Sequence, residues 1–246
     1  MKLNLERLLK ILSLLNLVML VTGSTSAIAA NFNSSQTPKS TPSDQREADQ
    51  YRQLGLTYRQ QERFDEAIAA LQKSVTLDPQ NLDGRIILGW TQHLAKKDDA
   101  AAKSLWDAIY LAPTSLQAFN AIGIVYLVRG DLPQAVILHS WAALLKSDNE
   151  IAHYNLSLAY QRSQQYDLAI AYAQKAIELE PTNPHPFVAL AIAQWSSGDR
   201  PRANKIFREA IVVDPRYRSP DFLNFLNEAG FSNEQILIAK QVLASS

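Results

Sequence analysis

Residue types that do chemistry are thinly spread in this 246-residue chain. Its four histidines, His93, His139, His153 and His185, fall in separate stretches rather than at metal-ligand spacing, whereas a protein metal site takes three or four ligands. His139 and His153 lie on segments that could touch, which would supply two ligands at most. The lack of cysteine removes disulfides, thiolate metal sites, a thiol nucleophile and a lipid-modified N-terminal cysteine, and leaves export open. The eight glycines form neither a dinucleotide fingerprint nor a phosphate loop, and no H-E-x-x-H or G-x-S-x-G run occurs. With 24 basic and 24 acidic residues, nothing is basic enough to predict nucleic-acid binding. The expectation is a non-catalytic chain with no metal and no cofactor, whose chemistry is that of contact surfaces.

Those surfaces depend on a periodic pattern. Between Ala48 and Asn81, the residues Tyr51, Leu54, Gly55, Tyr58, Ala67, Leu71 and Pro79 follow the spacing W-x2-L-G-x2-Y, then A-x3-F, then P, with apolar residues exchanged for one another. A shift of 34 positions brings Leu88, Gly89, Ala101, Leu105, Ala108 and Pro113 into the same slots. Further shifts bring Phe119, Ile122, Gly123, Tyr126, Ala135 and Ala142, then Leu156, Tyr160, Ala169, Ala176 and Pro181, then Phe187, Leu190, Ala191, Ala203, Phe207, Ala210 and Pro215. The departures are Arg85 and His153 for the aromatic, Gln92 and Gln194 for the tyrosine, Ser157 and Ala191 for the glycine, and Ser147 for the proline.

The pattern resembles the tetratricopeptide repeat, a 34-residue helix-turn-helix unit. The resemblance implies an all-α fold, a right-handed superhelix (α-solenoid) of five repeats at 48–81, 82–115, 116–149, 150–183 and 184–217. Small residues on the first helix of each repeat, opposite alanines on the second, let the backbones approach, and bulk there would cost about 1 to 3 kcal/mol. The prolines mark turns between repeats, and only a stack of such hairpins buries its apolar stripes.

Outside the repeats, Lys2, Arg7 and Lys10 precede the apolar run Ile11 to Val21 and a stretch of small residues ending at Ala30. Residues 1–30 therefore read as a secretory signal peptide, cleaved after Ala29 or Ala30. An uncleaved membrane anchor over residues 8–21 and a buried helix are the alternatives, although the run is short against the roughly 20 residues of a membrane span. Removing the segment leaves 21 basic and 23 acidic residues. Residues 31–46 are polar and proline-containing and read as a flexible linker, in which Asn33-Ser34-Ser35 is formally a glycosylation acceptor. Residues 218–246 read as C-terminal capping helices. Ser219, Pro220 and Asp221 open the first, and Gly230 closes it; Ser232 with Gln235 forms a capping box, and Phe231 staples to Ile236. The last helix is expected to cover the open end of repeat five.

In the family, first helices line a concave groove and touch ligands at the second, fifth, ninth and twelfth places of each repeat. Carried over, the groove presents Arg52 and Leu56, then Ile86 and Trp90, then Asn120, Ile124 and Leu127, then Tyr154 and Leu158, and lastly Val188, Ile192 and Trp195. Relatives that clamp a C-terminal carboxylate need Lys, Arg or Asn where this chain has Leu56, Ile87, Gln117 and Ala121. An apolar or amphipathic segment suits the lining better. For Ile86, Ile124, Leu158 and Ile192, plain packing between helices is the alternative, while Trp90, Tyr154 and Trp195 are of types enriched at binding hot spots. On the outer helices, Trp106 and Tyr110, then Ile137, Trp141 and Leu144, form a convex patch for a partner, a second copy or a membrane surface, unless they are an ordinary scatter of exposed apolar residues. The expected role is an exported, periplasmic or luminal adaptor and scaffold for protein or peptide partners, as an assembly factor for a membrane or envelope complex. A self-associating structural homo-oligomer through the convex face is the first alternative, and a metal-binding or enzymatic protein the second.

Overall fold

The computed structural model describes Ser40–Ser246, so the signal segment and most of the linker lie outside the described residues. Eleven α-helices and two 3₁₀ helices follow one another, and the described residues hold no strand. Helices α1 (Pro42–Gln60) and α2 (Phe64–Leu77) make the first hairpin, α3 (Leu82–Leu94) and α4 (Asp98–Leu111) the second, and α5 (Leu116–Arg129) and α6 (Leu132–Leu145) the third. The fourth comprises α7 (Glu150–Arg162) and α8 (Tyr166–Leu179), and the fifth α9 (Pro184–Ser197) and α10 (Arg200–Val213). Each helix packs on the helices before and after it, which is the tandem stacking of an α-solenoid. Helix α1 starts earlier than the repeat register. Thr41 and Asp44 form a reciprocal capping box with Pro42 at the first position, so residues 42–46 of the expected linker are its opening turn.

The hairpins close on small residues. A Cβ placed on Gly55 would lie 2.6 Å from Leu71 Cγ and 3.1 Å from the Ala67 carbonyl oxygen, and one on Gly89 would lie 2.6 Å from Leu105 Cγ and 3.2 Å from the Ala101 oxygen. Repeats four and five fill the two slots with other residues. Buried Ser157 has small Ala173 in the slot of Leu71, and buried Ala191 has Phe207.

Two further features recur at the repeat interval. The turn inside every hairpin places one residue in the left-handed region, namely Glu62, Lys96, Gly130, Gln164 and Gly198, at φ 59°, 61°, 90°, 59° and 98°. Only two of these are glycine, so this turn is not visible as a glycine motif. The last residue of a repeat stands at the N-cap of the next first helix. Asn81 accepts from the Gly84 N–H, Ser115 from Ala118 and Asn183 from His185, whereas the Asn149 side chain pairs instead with Asn120, at 2.9 and 3.3 Å.

His139 occupies the slot that holds Leu71 and Leu105 in the first two repeats, with its ring against Gly123. It is wholly buried, and neither ring nitrogen has a well-formed hydrogen bond. Burial pushes its pKa down to about 3, and the Gly123 backbone offsets only part of that. His153, for its part, bonds through Nε2 to the Ser147 carbonyl. Among the described residues no group of three or more His, Cys, Asp or Glu could hold a metal ion.

Because the folded state holds His139 neutral while the unfolded chain protonates near pH 6.5, stability is full above that pH and falls as pH drops toward 3. The loss is up to about 1.4 kcal/mol per pH unit. His139→Leu restores the residue type of the first two repeats and removes the unpaired nitrogens. It should raise stability by about 1 to 3 kcal/mol and flatten the acid limb of a denaturation curve measured between pH 7 and 4.

Candidate functional site: a groove half open and half occupied

The concave surface divides into two parts. In repeats one to three, Leu56, Ile86, Trp90 and Ile124 are half-buried. Arg52 pairs with Asp49 at 2.7 Å while its Nη1 has no partner, and Trp90 lies 5.2 Å from the His93 ring, centroid to centroid. His93 is not a free ligand, since its Nδ1 is 2.7 Å from Asp98 Oδ1. Asn120 is engaged with Asn149 and so helps join repeats three and four. The first helices of repeats one to three thus carry a partly exposed apolar and aromatic run with an arginine at its start.

Further along, the trough is filled. Leu127, Tyr154, Leu158, Val188 and Ile192, expected along an open groove, are buried with exposures of 0 to 8%. They share one core cluster with Leu223, Leu226, Phe231, Ile236, Ala239 and Val242 from the C-terminal residues. The physical reason is that the C-terminal segment has an apolar inner face and the concave surface beside it is apolar, so joining them removes both from water. The expectation of an open groove through repeats four and five is therefore corrected. Trp195 remains half-buried, with the Arg200 guanidinium 4.8 Å from its ring.

The chain reaches this surface by a path the sequence only partly announced. After α10 come two 3₁₀ helices, Pro215–Arg218 and Phe222–Ala229, where an α-helix opening at Ser219 had been expected. Ser219 Oγ does accept from the Phe222 N–H at 3.4 Å, and Gly230 does close the segment in the left-handed conformation. Helix α11 (Asn233–Ser245) begins on the expected Ser232 and Gln235 capping box. It packs on α9 and α10, as a cap on repeat five should. The residues ahead of it go further. Tyr154 donates its hydroxyl to the Ala229 carbonyl at 2.6 Å, and its ring lies 5.9 Å from Phe231. Gln235 donates to the Leu158 carbonyl at 3.3 Å and to Gln161 Oε1 at 2.9 Å. Tyr217 places its hydroxyl 2.7 Å from His185 Nδ1. Burial holds the Tyr154 and Tyr217 hydroxyls well above the usual tyrosine range and lowers His185 below the usual histidine value. The missed signal was the density of Phe222, Leu223, Leu226 and Phe231, more apolar surface than an end cap alone needs.

On the convex side the residues are unevenly placed. Trp106, Ile137 and Trp141 are half-buried, and Trp106 donates its indole N–H to Tyr126 Oη at 3.2 Å. Tyr110 and Leu144 are 64% and 68% exposed. Helix α6 buries only Ala135, Leu138, His139 and Ala142, so its other apolar side chains are not enclosed as an all-apolar helix would require.

Stacked helical hairpins with an apolar inner surface define the class of solenoid scaffolds. The tetratricopeptide repeat model matches at residues 48–81 and at residues 151–183, so these two stretches are tetratricopeptide repeats. Among solved structures the chain is similar to MamA, with 26% identity, a TM-score of 0.60, and coverage of 69% of this chain and 92% of that one. A thermophilic repeat protein of Thermus thermophilus shares the fold at 18% identity and a TM-score of 0.59, covering 81% of this chain and all of that one. Among curated proteins, BBSome complex member BBS4 of Bos taurus is 25% identical over 161 residues, 65% of this chain. Tetratricopeptide repeat protein 28 of Homo sapiens is 32% identical over 87 residues, 35% of this chain. The match covers only 31% of the first of these relatives and 4% of the second.

Tyr154→Phe should lower stability by about 1 kcal/mol by deleting the bond to Ala229. The corresponding fall in melting temperature is about 2 to 4 °C, measured by circular dichroism.

Proposed function

We propose that the chain is an exported, non-catalytic adaptor that holds protein segments in the open trough of repeats one to three. The observation that carries this reading is the half-buried apolar and aromatic run of Leu56, Ile86, Trp90 and Ile124 beside Arg52, with Ile86 and Trp90 at the edge of a core cluster rather than inside it. Such a lining suits an apolar or amphipathic segment, because affinity comes from apolar area and the few polar groups fix register. A binding role also agrees with the name of a relative that is a member of a complex. Placement in the periplasm or a lumen, or at a membrane through residues 8–21, rests on the basic, apolar and small-residue order of residues 1–30. Among the described residues no helix is long and apolar enough to cross a membrane. A helper in assembling a membrane or envelope complex is the role this combination favours.

Affinity capture with the mature chain from its own cell envelope, followed by mass spectrometry, should return a defined protein partner. Trp90→Ala with Arg52→Ala should weaken that capture at least tenfold while far-ultraviolet circular dichroism stays helical; undiminished capture sinks the groove. A second reading, self-association through the convex face, is favoured by the exposure of Tyr110 and Leu144. If it holds, sedimentation of the native chain shows a mass rising with concentration, and Leu144→Glu abolishes the rise.

A further inference from the structure

We propose that the outward face of α10, the second helix of the last repeat, docks on a membrane surface that carries anionic lipids. Residues 199–218 hold six basic and three acidic residues, whereas the rest of the described chain, 40–198 and 219–246, holds 14 and 20. This part of the array is therefore cationic at +3 while the remainder stands at −6. The cations gather on one face. Lys205, Arg208 and Val212, three and four residues apart, lie on the same side of the helix, and Arg202 adjoins them one turn earlier. All four are exposed, and Val212, at 80%, is the most exposed large apolar side chain among the described residues. Ala203, Phe207, Ala210 and Ile211 are buried on the opposite side. Half-buried Glu209 flanks the face, and exposed Arg218 continues the charge beyond the helix.

A charged helix face is ordinarily balanced within its own fold, and this one is not. Elsewhere in the array many cations are matched, Arg63 with Glu66, Lys97 with Asp65, Arg129 with Asp99 and Lys175 with Glu178. Arg202, Lys205, Arg208 and Arg218 form no ion pair with another described residue, although Arg216 nearby is held by Asp214 at 2.8 Å. The start of the helix is also unusual. In repeats one, two and four the second helix opens on carboxylates, Asp65 and Glu66, Asp98 and Asp99, and Asp167, which suit the positive end of a helix dipole. Helix α10 opens on Arg200 and Arg202, with Asp199 at its N-cap. Arg200 lies over the Trp195 ring, but Arg202 opposes the dipole without a partner for its guanidinium. Long cations spread over about three helical turns around one aliphatic side chain fit a layer of lipid headgroups, with phosphates meeting the cations and Val212 entering the boundary with the acyl chains. Attraction reaches only about 8 Å at physiological salt, so contact is confined to this face. The proposal goes beyond the role given above and uses none of Arg52, Leu56, Ile86, Trp90 or Ile124, so either can fail alone.

The chain has no cysteine, so Val212→Cys in the full chain takes a single polarity-sensitive fluorophore at the face itself, and Lys103→Cys on the second repeat serves as the control. Vesicles of phosphatidylcholine with one third phosphatidylglycerol should shift the Val212→Cys label to the blue, and phosphatidylcholine alone should not, whatever residues 8–21 contribute. The Lys103→Cys label should stay unshifted on both. Adding Arg202→Ala, Lys205→Ala and Arg208→Ala should raise the lipid concentration for half the shift by roughly tenfold or more, while Arg202→Lys with Arg208→Lys should leave it nearly unchanged. An equal shift on neutral vesicles, an equal shift of the control label, or an undiminished shift in the triple variant would each overturn the proposal. So would the same shift from soluble polyglutamate without vesicles, which would assign the face to an acidic protein.

Discussion

The approach of two helix backbones inside each hairpin is the constraint on which the rest of the molecule depends. A missing or short side chain on the first helix receives a large one from the second, as Gly55 receives Leu71 and Gly89 receives Leu105. That contact sets how near the two rods lie, and therefore which residues of the first helix are turned to the concave side. Because the same pair of slots recurs along the chain, one local volume rule is propagated into an extended surface. The later repeats show that the glycine itself is not required, since Ser157 and Ala191 stand buried in its place. Ser157 is tolerated where Ala173 stands opposite it, and Ala191 carries the bulk of Phe207 beside it.

The same slot also tolerates polarity. His139 fits by shape where leucine stands elsewhere, at the cost of burying an imidazole that cannot take up a proton near neutral pH. An imidazole close to leucine in size can therefore fill the slot when its nitrogens are left without partners.

Periodicity made the five hairpins legible because each 34-residue unit solves the same packing problem with residues at the same offsets. The all-α solenoid, the order of its helices and the capping box at Ser232 and Gln235 follow from such local rules. What was not legible lies where the period ends. No local rule says that Phe231 should seek Tyr154, far back in the fourth repeat, rather than merely cover repeat five. That choice depends on the summed apolar area of two distant surfaces. The same blindness explains the misread half of the groove: Leu56, Ile86, Trp90 and Ile124 are half-buried, while Tyr154, Leu158, Val188 and Ile192 are buried in a cluster built from both repeat residues and residues outside the pattern. The left-handed turn residues Glu62, Lys96 and Gln164 were invisible for another reason, since they carry none of the glycine that usually marks such a backbone.

The position of the covering segment in chain order has a consequence for timing. Each hairpin can form as soon as its own residues and those of its neighbour have left the ribosome, because its contacts are short in sequence. The segment that shields Leu158 and Tyr154 is joined to them across separations of 77 and 75 residues and emerges after everything it covers. During synthesis the inner surface of repeats four and five therefore stands bare for an interval set by the rate of chain elongation, and a chaperone or a nascent neighbour that meets it then meets no competitor.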